Sequence, residues 1–148
     1  MPMFRSAAGL ALCLATGAAA GESLDGSFAV AAKLQIPNVS GPSWQGTSVL
    51  CLEADPRSGR LPVPVLSPNS PFAGCEARDL ERSATALRYR IVCAGRDSAR
   101  ALASYQLSAG GFRGEVEMLL GGKNMTLTEY QEGTRLGDCA AATATVDP

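Results

Sequence analysis

The sequence predicts an all-β domain: an antiparallel up-and-down meander of about seven strands, curled into a half-barrel or sandwich and held by two disulfides. Three observations carry this expectation. Apolar and polar residues alternate along several stretches, the period of strands with one buried face. Glycine-rich turns, Ala109-Gly110-Gly111 and Gly121-Gly122-Lys123-Asn124, fall about a dozen residues apart, the rhythm of successive hairpins. An even set of cysteines is left once an N-terminal leader is set aside.

Residues 1–20 read as a secretory leader that is cleaved after Ala20. Arg5 is their one charged side chain, the run Ala7 to Ala15 is apolar, and small residues follow through Ala18, Ala19 and Ala20. The apolar run is too short to span a bilayer, which takes roughly 20 such residues. Cys13 follows Leu12 rather than a small residue, so it reads as leader core and not as a lipid-attachment site. Without Arg5 the chain carries 12 basic and 14 acidic residues, net −2, and no strongly basic stripe that would favour a nucleic-acid partner.

Residues 21–27 are a short polar segment, and the β-domain spans 28–139. Phe28, Val30, Leu34 and Ile36 share one parity, so this stretch is a strand; Pro37 to Pro42 turns the chain, and Trp44 to Cys51 returns as its hairpin partner. Residues 53–74 change character, with prolines at 56, 62, 64, 68 and 71. Proline removes a backbone donor and holds φ near −65°, so this segment is an extended loop and neither helix nor inner strand. From Cys75 to Cys93 a second hairpin turns near Ser83-Ala84-Thr85, with Leu87, Tyr89, Ile91 and Cys93 on one face and Arg88, Arg90 and Val92 on the other. Tyr105 and Leu107, then Phe112, Val116 and Met118, flank the next turn, and Met125 to Tyr130 opens the last strand. Two stretches, Cys75 to Ser83 and Arg96 to Tyr105, are rich in helix formers, but their apolar positions are too sparse for an amphipathic stripe, so both read as edge-like strands. Residues 140–148 are expected to be a disordered C-terminal tail.

The cysteines of the mature chain are Cys51, Cys75, Cys93 and Cys139. Their spacings of 24, 18 and 46 contain no C-x-x-C pair, so two structural disulfides are expected. A hairpin centred on Ala84 sets Cys75 opposite Cys93 on the inner face. Strand parity in a meander then leaves Cys51 with Cys139 at the far end of the sheet. The sequence-local alternative, Cys51 with Cys75 and Cys93 with Cys139, stays open if one strand is miscounted.

Taken in order, the leader, Trp44 with Val49-Leu50-Cys51-Leu52, the proline loop ending at Cys75, Cys93-Ala94-Gly95 and the closing Leu136-Gly137-Asp138-Cys139 resemble the bacterial domain of unknown function family 3617. The likeness covers roughly residues 28–139. In place of that family's usual aromatic strand opening stands Leu24-Asp25-Gly26-Ser27-Phe28, and the Met-rich hairpin tip is missing. The resemblance implies a periplasmic address and carries over no catalytic residue.

Chemistry is constrained most by an absence: the chain contains no histidine. Ser-His-Asp and Cys-His catalysis and histidine-ligated zinc or copper are thereby excluded. A carboxylate pair would serve a glycosidase, but Glu76, Asp79, Glu81, Glu115, Glu117, Glu129 and Glu132 are scattered and read as solvated surface. Met118 and Met125 flank a turn, and core filling outweighs soft metal ligation. Asn38-Val39-Ser40 and Asn124-Met125-Thr126 match the glycosylation sequon, which matters only in a eukaryotic source. Arg78, Arg82, Arg88 and Arg90 share the outer face of the hairpin in the expected register. They form a candidate patch for anionic lipid or envelope polymer, against the blander reading of a solvated face.

The expectation for function is a non-enzymatic periplasmic module without cofactor. It binds a small amphipathic ligand in the concave face of the sheet, with the proline loop as rim, or an envelope protein partner. The alternatives are an envelope structural or interaction protein that uses the arginine face, and a histidine-free hydrolase.

Overall fold

The computed structural model describes residues 23–53, 59–95, 99–121 and 125–140. The leader at 1–20, the tail beyond 140, Arg96 and the turn positions 122–124 lie outside the described residues. Every element among the described residues is a strand: β1 (Gly26–Gln35), β2 (Trp44–Leu52), β3 (Glu76–Arg82), β4 (Ala86–Val92), β5 (Arg100–Ser108), β6 (Gly111–Leu120) and β7 (Met125–Gly137).

All seven form one antiparallel sheet in the order β2-β1-β7-β6-β5-β4-β3, which does not close into a barrel. The half-barrel form of the expectation is therefore the correct one, not the sandwich, and the order departs from a simple meander. β3 to β7 run sequentially, and β7 then docks on β1, so the chain jumps from one sheet edge to the other between β2 and β3. β3 is an edge strand as expected. β5 is not, since β4 and β6 pair with its two sides. Its inner positions are Ala101, Ala103, Tyr105 and Leu107, and the two alanines, buried but small, make the apolar stripe look sparse in sequence.

Alternation puts Phe28, Val30, Leu87, Tyr89, Ile91, Phe112 and Val116 on the inner face, each 3% exposed or less. Phe112 of β6 reaches Phe28 of β1 across the intervening β7, with ring centroids 5.6 Å apart. Gly133 makes this reach available: a Cβ there would stand 2.2 Å from the Phe112 ring. Tyr105 meets Phe112 edge-on at 5.5 Å, so one aromatic row crosses the sheet.

The disulfides are Cys75–Cys93 and Cys51–Cys139. The first closes the β3–β4 hairpin with Cα atoms 4.4 Å apart, as hairpin parity requires. The second forms by a different route from the far-end meander argument. Ser27 of β1 pairs with Cys51 on one side and Gly137 on the other, so β2 and β7 flank β1. Strands two apart are separated by about 9.6 Å, yet the Cα atoms of Cys51 and Cys139 are 5.5 Å apart. The chain must turn back over β1 after β7, and Gly137 supplies the bend with φ +148°, a conformation open to glycine.

Candidate functional site

Residues 59–75 of the connection from β2 to β3 form a strap over the inner face. Proline keeps the strap out of regular helix and sheet and leaves its amides and carbonyls in need of partners, and buried side chains of the sheet supply several of them. Tyr89 donates its hydroxyl to the Val63 carbonyl at 2.8 Å and accepts the Val63 N–H at 3.3 Å. Gln131 donates through Nε2 to the Pro64 carbonyl at 2.8 Å. The Glu129 carboxylate accepts the Leu66 and Ser67 N–H groups, both at 2.8 Å, one on each oxygen. Gln131 also donates to Glu129 at 2.6 Å and accepts the Tyr105 hydroxyl at 2.8 Å, which joins Glu129, Gln131 and Tyr105 into one network beside Tyr89.

Val63 and Phe72 of the strap are buried in the same core as β1 and β4. The inner face expected to hold a ligand is thus filled by the chain itself, and the proline loop crosses that face and does not rim it. Burial raises the Tyr89 phenol above its ordinary range. Tyr105 is raised too, first by burial and then by the neighbouring Tyr89 and Glu129 charges.

Where the strap leaves β2, the sheet's open side retains a cleft of about 720 Å³. Leu50 and Leu52 of β2 form one wall, Leu61, Pro64, Val65 and Phe72 of the strap the other, and Glu53 and Arg60 stand exposed beside them. Its size lies within the range of small-molecule sites, which are concave, mostly apolar and carry a few polar groups.

The arginine patch is rearranged relative to expectation. Arg78 stands directly opposite Arg90, but then the register slips: Glu81 faces Arg88, and Arg82 faces Leu87. A bulge at Asp79-Leu80, with Asp79 at φ +51°, adds one residue to β3 and moves Arg82 to the side of the inner-facing Leu87. Arg78 pairs with Glu76 and Arg90 with Asp79, which relieves the repulsion of two directly opposed arginines. The four residues do not make one unopposed basic face.

Among the acids, Glu115 and Glu117 lie on the outer face as read from alternation, whereas Glu129 is fully buried and not solvated surface. Met118 is buried core, and Met125, half exposed, lies opposite Leu120. Asn38 sits in an exposed turn. Among the described residues no group of three or more Cys, Asp or Glu is arranged to hold a metal ion.

Sequence reasoning missed Glu129, Gln131, Arg60 and the cleft walls. One signal was present: a solvated loop has no need of Leu61, Val63, Val65, Leu66 and Phe72 between its prolines, and those residues mark a segment that packs. The two disulfides suit an oxidising, exported environment. Among the described residues no helix is long and apolar enough to cross a membrane. No family model, curated protein or solved structure matches the chain.

Proposed function

We propose that the protein is a non-enzymatic binding module of the bacterial periplasm that holds a small amphipathic molecule in the cleft between β2 and the strap. The observation that carries this reading is an apolar cleft left open beside a core that is otherwise filled. Leu50, Leu52, Leu61 and Phe72 suit an alkyl or ring system, and Arg60 suits an acidic head group. The absence of histidine supports a binding role over hydrolysis. The leader-like residues 1–20, the two disulfides and the four-cysteine resemblance support the periplasmic address.

Displacement of an apolar fluorescent dye by dodecanoate tests the reading. Dodecanoate should compete for the dye, Arg60→Glu should weaken it about tenfold, the loss of one charge-assisted contact, and Leu61→Trp should block dye and fatty acid alike. Arg113→Glu, on the outer face, should change nothing. Dye binding indifferent to both cleft substitutions would overturn the proposal.

A further inference from the structure

The two edges of this open sheet are built in opposite ways. β3 shows the devices that keep an edge from pairing with another chain: it is short, five of its seven residues are charged (Glu76, Arg78, Asp79, Glu81, Arg82), and a bulge breaks its register. β2 has none of them. Its nine residues, Trp44-Gln45-Gly46-Thr47-Ser48-Val49-Leu50-Cys51-Leu52, include no charge and no proline. Its register against β1 runs unbroken from Leu34↔Trp44 to Gly26↔Leu52. Among the described residues no strand pairs with its other side. An edge of this kind is a template for strand addition.

We propose that β2 is the docking edge for a second copy of this chain, paired antiparallel about a two-fold axis at Ser48. Three properties favour a second copy over an unrelated strand. An uncharged strand meets itself without opposing like charges. The register that overlaps all nine residues sets Trp44 opposite Leu52, Gly46 opposite Leu50 and Thr47 opposite Val49 about a central Ser48–Ser48 pair, so no pair sets two bulky rings together. Among the described residues β2 is the edge without charge or bulge, so β2-to-β2 pairing closes as a dimer, whereas β2-to-β3 pairing would propagate a filament and meets the charged, bulged edge. Cys139 is bonded to Cys51 within the chain, and among the described residues it belongs to no strand paired with β2. The dimer rests on the edge alone and stands whether or not the cleft binds a ligand.

The oxidised wild-type protein, followed by sedimentation across a concentration series, should reach twice the monomer mass. Emission of Trp44, the one tryptophan, should shift to shorter wavelength over the same range. Ser48→Lys and Ser48→Glu each place like charges together on the axis and should give monomers whose cooperative thermal unfolding matches that of the wild type diluted to its monomeric range. Equal amounts of the two variants mixed together should restore the dimer. Leu80→Lys on β3 should leave the dimer intact. A wild-type protein that stays monomeric overturns the proposal, whether its β2 amides exchange fast or are covered by another segment of the chain. So does a dimer that survives Ser48→Lys, or a mixture that fails to reassociate.

Discussion

A carboxylate with no exposed surface persists at Glu129 because three donors converge on it: the amides of Leu66 and Ser67 and the side chain of Gln131. A buried charge is tolerated only when its lone pairs are satisfied in this way. Glu129→Gln keeps the shape but can accept only one of the two strap amides, so one N–H is left facing an NH₂ group. The substitution should cost about 2 kcal/mol in urea unfolding, with the loss concentrated in faster hydrogen exchange at Leu66 and Ser67. Nothing near Glu129 in sequence announces this role, because its strap partners are 62 and 63 residues away. Alternation assigns a side chain to a face, and it did so correctly for Glu115 and Glu117, but it does not reveal a polar partner that arrives from a distant loop.

The buried phenols set the alkaline limit. Burial raises Tyr89 and Tyr105 above the ordinary value of about 10. Below about pH 10 both are protonated in folded and unfolded chains alike, and stability does not depend on them. Above it the unfolded chain releases protons that the folded chain retains, so stability falls as pH rises. Phenolate absorbance should accordingly show two of the three tyrosines ionising only as the protein unfolds. Ionisation of all three with the fold intact would contradict the packing of Tyr89 against Val63.

Among the elements, the strands were legible wherever the pattern alternated with bulky residues, as in Phe28 to Leu34 and Leu87 to Ile91. β5 was misread as an edge because Ala101 and Ala103 bury little surface apiece. The order β1-β7 was not legible either: period two specifies the faces of a strand but not its neighbour, and β7 could extend the meander or return to β1. The disulfide pairing was read correctly although one half of the reasoning assumed the wrong strand order. The bridges differ in what they restrain. Cys51–Cys139 closes a separation of 88 residues and Cys75–Cys93 one of 18. In the chain-entropy account their removal costs about 4.6 and about 3.2 kcal/mol. Paired Cys→Ser variants should show the larger drop in denaturant midpoint for Cys51 and Cys139, and the reverse order would mean that the hairpin bridge restrains more than its own loop.

For the molecule as a whole, one fact organises the rest: a half-barrel that does not close has filled its interior with its own proline strap. That moves the binding surface away from the sheet's inner face, where a sequence reading places it, to the seam at which the strap departs from β2. The seam could not be read from the sequence, since it exists only because β2 and β3, consecutive in sequence, lie at opposite edges of the sheet. The same jump leaves β2, among the described residues, as the edge without charge or bulge. The most direct test is an amide chemical-shift map of the oxidised protein during titration with dodecanoate. Shifts confined to Leu50, Leu52, Leu61, Val65 and Phe72, with Tyr89, Val116 and Glu129 unmoved, are the predicted result. Shifts centred on Tyr89, Val116 and Glu129 would mean that the strap lifts and the inner face is the true site, and no saturable shift at all would mean that the cleft binds no such ligand.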